Sequence, residues 1–504
     1  MARPEVPLSA KRGSPLAEFP LALHLRRGET GALHQQLTAQ LRAGVLNGTL
    51  PAGLRLPGSR LLAHSLGVTR GVVAEAYAAL VADGTLEAEV GSGTRVPAGA
   101  ARRERASAGA PAWFTEPPAA PFEFADRTSG SDGIHFKTGV ATTATLDAKV
   151  WRQAWAHAAR QDVSGDYADP QGEPELRAAL AAFVGRSRGL PVSPEGVMVT
   201  AGTLQALNLI VKAILPPGSR VLMENPGYRA GRQVLLDAGL SVHPLPLDED
   251  GPVITPDTPP ARLVYVTPSH QFPLGVRMSL PRRLKLLEWA EKNDALIIED
   301  DYDGEFRYGA APLPPLASLD TSGRVLYLGT LSKVLTPAVR TGFLTAPPAL
   351  MPALVRARTL MDSGHPLPLQ HALTYLMTHS EVDRHIRRSR RWHAQVREAL
   401  TQELAPLEPS AKLGGIEAGL HVCLHLAPDF DATRIALTLA RRNVHVSTVA
   451  EYSVPEYSAP EYSVPDDSGT GATPNALLLG YGGLTVNEAV EGAREIRRVL
   501  NAML

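Results

Sequence analysis

The chain has 504 residues, 44% of them hydrophobic and 20% charged, with 50 Lys and Arg against 51 Asp and Glu for a formal net charge of −1. That length exceeds one hydrophobic core and predicts two or three compact units, and the composition excludes a disordered chain. No apolar run reaches the roughly 20 residues that cross a bilayer, the N-terminus lacks the apolar centre of a secretory signal, and the single cysteine, Cys423, excludes an internal disulfide and a multi-cysteine zinc site; a cytoplasmic chain without a membrane partner or metal is expected.

Residues 1–100 carry ten Lys and Arg against seven Asp and Glu, whereas the rest carry 40 against 44. So small an excess marks no nucleic-acid surface by itself; the positions of the arginines matter more. Leu33, Leu37, Leu41 and Val45 recur every fourth residue and predict a helix with one buried stripe. After the turn LPAGLRLPGSR, Ser59 opens a second helix with Leu61, Leu62 and Leu66 inward. Gly67 turns the chain, Thr69 caps a third helix, and Val72, Val73, Ala76 and Leu80 form its inner face. Two short helices across a tight turn are a helix-turn-helix, with Thr69 and Arg70 opening the helix that meets base edges. TLEAEVGSGTRV then reads as two short strands about Gly91-Ser92-Gly93, a β-wing.

The wording of GTLPAGLRLPGSRLLAHSLGVTRGVVAEAYAALVADGTLEAEVGSGTRV resembles the winged-helix domain of the GntR family of bacterial repressors along its whole length. The resemblance implies that Arg55, Ser59, Arg60, Thr69 and Arg70 face a double-stranded DNA operator and that Gly93 at the wing approaches the minor groove. Arginine suits such work as a bidentate partner of guanine and as a phosphate anchor; the alternative is a plain surface ion pair. Gly71-Val72 departs from the family, which has a polar residue first, so one phosphate contact is in doubt.

Residues 97–121, rich in Ala, Pro and Arg and without periodicity, read as a connector that lets two domains move separately. Beyond about residue 170, helical stretches alternate with the short apolar runs GVMVTA, SRVLMEN, LSVHPLPL, RLVYVTP, ALIIEDD, RVLYLGT and GFLTAP. Such an order predicts a mostly parallel sheet covered by helices, with ligands beyond the carboxyl ends of its strands.

Those strand ends carry a set of groups that together suit a pyridine aldehyde bearing a phosphate. Lys333, after RVLYLGT, offers an amine for a Schiff base. Asp300, at the end of ALIIED, offers a carboxylate for a ring nitrogen, and Tyr302, two residues on, a hydroxyl on the same side for the phenolic oxygen. Tyr228 in MENPGYRA offers an aromatic face. Gly202 and Thr203 open a helix whose free amides and dipole favour an anion, and Thr330, Ser332 and Arg340 complete the cradle. Taken singly, each is as readily a surface lysine, a packed tyrosine or a solvated turn; their convergence is the signal.

DYADPQGEPELRAALAAFVGRSRG, TPSHQFPLGVRMSLPRRLKLLEWA, IIEDDYDGEFRY and LGTLSKVLTPAVRTGF resemble fold-type I aminotransferases, specifically the MocR/GabR branch of GntR regulators, over roughly residues 28–500. The resemblance implies an N-terminal winged helix-turn-helix, mostly α with a β-wing (25–97), a flexible linker (98–125), and an α/β aminotransferase class I/II-like domain (126–504) that binds pyridoxal 5'-phosphate (PLP). Within the last, a large subdomain of about 165–350 and a small one of about 351–504 are expected. It implies Lys333 as the Schiff-base lysine, Asp300, Tyr302 and His270 around the ring, Tyr228 stacked on it, Arg340 on the phosphate, and a domain-swapped homodimer.

Two places depart from catalytic members. Phe272-Pro273-Leu274-Gly275 stands where they have Asn-Pro-x-Gly, with His270 and Gln271 as polar neighbours. Leu478 in NALLLGYGGL falls near the arginine that grips a substrate α-carboxylate; losing such a clamp costs about 2–5 kcal/mol, so ordinary α-amino acids are expected to be poor substrates. Just before it, EYSVPEYSAPEYSVP repeats a five-residue unit from Glu451 to Pro465 and reads as an extended insertion. Two readings stay open: a regulator in which PLP or a PLP-amine ligand controls operator binding, with vitamin B6 or amino-acid metabolism as the regulated process, and a working PLP-dependent aminotransferase with an accessory DNA-binding domain. The effector is PLP itself, an amino acid or another amine.

Overall fold

The computed structural model describes residues 19–27, 31–89, 93–98, 133–309, 313–415, 417–454 and 474–503. All but residue 98 of the expected linker and residues 455–465 of the proline-spaced repeat lie outside them. The chain divides into two compact units, Met1–Ala119 and Ala120–Leu504. No helix among the described residues is long and apolar enough to cross a membrane.

In the first unit, α1 (Leu33–Leu46), α2 (Ser59–Leu66) and α3 (Arg70–Ala82) precede the antiparallel pair β1 (Glu87–Glu89) and β2 (Gly93–Arg95). Leu37, Leu41 and Val45 of α1 meet Leu62 and Leu66 of α2 and Val73, Ala76 and Leu80 of α3 in one core. Leu61, expected inward, is 39% exposed, because an eight-residue helix packed on one side has room for a single stripe. Gly67 ends α2 at φ 66°, a left-handed turn open to glycine at no steric cost. Thr69 holds the N-cap position of α3, yet its side chain makes no capping bond, a correction to the expected cap.

The second unit opens with β3 (Ile134–His135), α4 (Ala148–Ala158) and α5 (Pro174–Arg188), and continues through β4 (Val197–Thr200), α6 (Thr203–Ile214), β5 (Arg220–Glu224), α7 (Arg229–Asp237), β6 (Ser241–Leu245) and a small hairpin of β7 (Leu247–Asp248) and β8 (Gly251–Pro252). Next come β9 (Leu263–Val266), α8 (Leu280–Lys292), β10 (Leu296–Asp301), α9 (Leu316–Leu319), β11 (Val325–Thr330), β12 (Gly342–Thr345), α10 (Met351–Met361), α11 (Leu367–Thr378) and α12 (Glu381–Leu404). It closes with β13 (Ala411–Gly414), β14 (His421–Leu426), α13 (Ala432–Ala440), β15 (Val444–His445), β16 (Ser447–Thr448), β17 (Ala476–Gly480) and α14 (Val486–Asn501).

All seven apolar runs read from the sequence lie in one sheet of order β4-β12-β11-β10-β9-β5-β6. Only β12 runs against its neighbours; the other pairings are parallel. Side chains alternate between its faces. Met198, Tyr265 and Ile298 join α6, α7 and α10 on one face, while Val199, on the other, joins α4, α5 and α11. Burying such Val, Leu and Ile side chains is worth about 1.5–3 kcal/mol each, so both faces are covered and the strands read as continuous apolar runs.

A second sheet, β13-β14-β17-β16, carries its own core with Val396, Leu400 and Leu404 of α12, Ile435 of α13 and Ile496 of α14. The boundary between the two bodies differs from the expected position at residue 351. Leu354 of α10 and Leu373 and Leu376 of α11 are buried against the large sheet, and α12 changes allegiance along its length, with Val382 and Ile386 on the large body and Val396 onward on the small one. The small body also takes Phe136, next to β3, which pairs with β15.

Candidate functional site

Lys333 lies three residues beyond β11, and its amine donates a hydrogen bond to the Gly139 carbonyl. Burial holds this amine below the ordinary lysine value, with Asp303 and Asp300 opposing that shift and Arg340 adding to it. A larger neutral fraction makes a better nucleophile. Asp300, 4% exposed near the end of β10, accepts a hydrogen bond from Tyr265 Oη at 2.5 Å. Its other oxygen, Oδ1, is buried without a partner among the described residues. Such an orphan is costly unless a ligand supplies the missing donor. Strand alternation sends the next carboxylate, Asp301, to the opposite face, where it meets Arg188 and Tyr327 Oη, the latter at 2.8 Å.

The reversed strand β12 brings the residues expected to hold a phosphate to one end of the sheet. Thr330 at the end of β11 pairs with Gly342 at the start of β12, and a Cβ on Gly342 would lie 3.1 Å from Gly202 Cα. Arg340, just before β12, donates from Nη2 to the Ala201 carbonyl at 3.0 Å. Gly202 caps α6 at φ 99°, and a Cβ there would lie 3.3 Å from the Arg340 guanidinium. Thr203 is the first residue of α6. Thr330 Oγ1 accepts from the Ser332 amide at 3.1 Å, and Ser332 is 5% exposed. Gly202, Thr203, Thr330, Ser332 and Arg340 thus share one end of the sheet.

Tyr228, at the N-cap of α7, lies 6.4 Å from Tyr265 between ring centroids, at 24° to its plane, and burial pushes its phenol up. The Tyr302 hydroxyl donates to the His270 carbonyl at 2.9 Å and lies 3.1 Å from His270 Nδ1. His270, 2% exposed, also holds Asp303 Oδ2 at 3.0 Å. Phe272 stands edge-on to Tyr228, Tyr302, His421 and Tyr452, so the departure from Asn-Pro-x-Gly puts an aromatic ring in place of an asparagine amide.

Sequence reasoning passed over Gly139, Tyr265, Glu224, Asp303 and His421. Tyr265 had a usable signal, since RLVYVTP puts a polar aromatic inside an apolar strand; Tyr265 pairs with Ile298, two residues before Asp300 on the same face. His421, kept neutral by burial, arrives from the second sheet and donates to the Pro273 carbonyl at 3.1 Å; no local pattern announces it. Leu478 is fully buried opposite Cys423. Leu477 and Leu479 enter the small core, so alternation turns Leu478 toward the apolar face of Cys423 and Ala476.

Burial raises three carboxyls here, Asp300, Glu224 and Glu299, each to about 7. The folded protein therefore keeps these protons to higher pH than the unfolded chain, so the stability they contribute is complete below about pH 4 and is lost as pH rises through about 7. Melting temperature of the cofactor-free protein is expected to fall over that window, and Asp300→Asn to flatten the fall. A slope unchanged by Asp300→Asn in calorimetry would show that Asp300 titrates normally.

In the N-terminal unit Arg55, Arg60, Thr69 and Arg70 are exposed. Arg70 Nε lies 3.4 Å from Ser59 Oγ, which joins the first residues of α2 and α3. Arg55 bridges to Arg95 on the wing strand β2, which Gly93 opens at φ 95°. Arg95 is committed to Glu87 and Glu89 at 3.2 and 3.0 Å.

A helix-turn-helix with a wing in one unit, and in the other a buried lysine, a carboxylate with one oxygen unpartnered and a glycine-led helix start on a mostly parallel sheet, define a regulator built on an aminotransferase fold. Residues 33–96 match the gntR family of bacterial regulatory proteins and residues 131–459 match aminotransferase class I and II. The chain is 39% identical over 384 residues to the probable rhizopine catabolism regulatory protein MocR of Rhizobium meliloti, spanning 74% of this chain and 77% of that one. It is 34% identical over 469 residues to the HTH-type pyridoxine biosynthesis transcriptional regulator PdxR of Corynebacterium glutamicum, spanning 93% and 95%. Among solved structures, the multiple substrate aminotransferase of Thermococcus profundus matches with TM-score 0.65 and 26% identity over 74% of this chain and 93% of that one. The chain belongs to the MocR-type transcriptional regulators, which join a gntR-family DNA-binding domain to an aminotransferase class I and II domain.

Proposed function

We propose that the protein binds PLP through Lys333 and that this occupancy controls its affinity for an operator. When bound, PLP supplies an aldehyde carbon that takes a primary amine and a ring that draws electrons. Lys333 would provide the amine, Asp300 would pair with the ring nitrogen, Tyr228 would cover the ring, and Tyr302 and His270 would border its phenolic edge. Gly202, Thr203, Thr330, Ser332 and Arg340 would hold the phosphate. The observation that carries this reading is the buried, unpartnered Asp300 Oδ1 beside a depressed lysine amine, in a chain that also bears a gntR-family domain.

PLP itself is the effector in this proposal. Leu478 brings no charge to a carboxylate, and a relative over 93% of the chain is named for pyridoxine biosynthesis. The coupling arises from unequal PLP affinity of two conformations, in a cytoplasmic homodimer whose paired winged helices span two half-sites. The test is fluorescence anisotropy of the full chain on DNA from upstream of its own gene, with PLP or candidate amines titrated in. A PLP-dependent change in affinity is the expected result; fast multiple-turnover transamination without DNA binding would select the aminotransferase reading.

Arg70 and Arg60 divide the recognition in that assay. Arg70→Ala is expected to lose about 1–3 kcal/mol and to relax preference at one base position. Arg60→Ala is expected to weaken all sequences alike and to lower the salt dependence. Unchanged affinity in both would move the DNA face elsewhere on the unit.

A further inference from the structure

The peptide that opens α6 is held on one side by Arg340 and on the other by groups outside the cradle. Ala201 is clamped at both ends: its carbonyl accepts from Arg340 Nη2 at 3.0 Å and its amide donates to Gln205 Oε1 at 2.7 Å. Gln205 Oε1 also accepts from Arg358 Nη1 at 2.7 Å, while Gln205 Nε2 donates to Asp362 Oδ2 at 2.5 Å. Arg358, 1% exposed, closes the circuit by donating from Nε to Asp362 Oδ1 at 2.5 Å and from Nη1 to the Val199 carbonyl at 2.9 Å. These three side chains come from two helices, α6 and α10, and from the residue that ends α10.

The same α10–α11 turn reaches the other half of the cradle. His365 Nε2 lies 3.0 Å from Thr341 Oγ1, and that hydroxyl donates to the Val339 carbonyl at 2.9 Å. The ring N–H therefore donates to the hydroxyl oxygen, which fits a neutral imidazole; burial lowers the His365 pKa to about 4. Val339 and Thr341 flank Arg340, whose backbone sits at φ 43°, a left-handed conformation that a non-glycine residue keeps only when its surroundings impose it. One turn, Asp362 to His365, thus braces both the Ala201–Gly202 peptide and the backbone that presents Arg340.

We propose that Gln205, Arg358 and Asp362 are positioning residues for the phosphate subsite, setting PLP affinity by fixing the Ala201–Gly202 peptide at the start of α6. The inference rests on the cofactor reading above. Its physical content is preorganisation: a floor peptide free to rotate would turn the Gly202 and Thr203 amides from the anion and release Arg340 from its acceptor, and each binding event would then have to order them.

The test compares PLP with pyridoxal, which lacks the phosphate, by absorbance titration of the full chain. Gln205→Met keeps the volume and removes all three of its side-chain hydrogen bonds; it is expected to weaken PLP about tenfold, a net effect near that of one lost hydrogen bond, and to leave pyridoxal within about twofold. Gln205→Glu alone sets two carboxylates against each other and is expected to behave likewise. Adding Asp362→Asn restores donor and acceptor in reversed order and is expected to recover the PLP affinity. Equal loss for PLP and pyridoxal, or no loss for PLP, overturns the positioning role. A wild-type chain that binds PLP no more tightly than pyridoxal instead overturns the cofactor reading itself.

Discussion

Lys333→Ala, incubated with PLP and reduced with borohydride, is expected to carry no stable pyridoxyl label, whereas wild type is labelled on the peptide containing residue 333 by mass spectrometry. The substitution removes the amine, and a retained label would place the reactive amine elsewhere. Folding should survive it. The amine is buried and donates to the Gly139 carbonyl, and burial already works against its charged form, so truncation removes a desolvation cost together with one hydrogen bond whose net worth is about 1 kcal/mol. A second readout follows from linkage: at a PLP concentration 100-fold above Kd, wild type gains about 2.7 kcal/mol of stability. The variant should gain far less, and its operator affinity should no longer respond to PLP.

Asp300→Ala is expected to weaken PLP by about 2–5 kcal/mol, roughly 30-fold to several thousand-fold. In the cofactor-free protein burial raises this carboxyl to about 7 while the Tyr265 hydrogen bond pulls it down. A protonated ring nitrogen at Oδ1 would draw the carboxyl to its ionised form, so the pair forms only if both partners are present. Truncation leaves a bound ring with a buried donor and no acceptor. Asp300→Asn should recover shape without charge and fall between the two. Measured by absorbance titration, equal affinity of Asp300→Ala and wild type would detach this carboxylate from the ring.

How much of this was legible beforehand depended on whether the determinant was local. The seven strands carry their own apolar runs, and Gly202, Asp300 and Lys333 lie at or just beyond the ends of three of them, so they fall at one end of the sheet by chain order alone. Tyr265 needed register: only the pairing of Leu263–Val266 with Leu296–Glu299 sets it beside Asp300. His421 and Gln205 were further from reach, the first because it comes from another sheet, the second because a glutamine one turn into an amphipathic helix looks solvated. Tyr302 was seen from its place two residues past Asp300, but its contact with the His270 carbonyl comes from a separate loop and was not legible. The packing of the helices around the expected border near residue 351 was not legible for a related reason. Helices α10 and α11 follow the last strand of the large sheet, and nothing in their periodicity tells which of two cores they cover.

Strand β12 enters the sheet head-on, and residues 331–341 form the excursion that precedes it, pinned at its base where Thr330 faces Gly342 and where the Leu331 amide donates to the Thr341 carbonyl at 3.0 Å. Lys333 and Arg340 both ride on that one excursion. In the proposed site the aldehyde end and the phosphate end of PLP would therefore be gauged by a single closed loop, as by the two jaws of a caliper with a fixed hinge. Chain ends opened or residues inserted there would disable both jaws together, whereas cuts elsewhere on the rim would spare one.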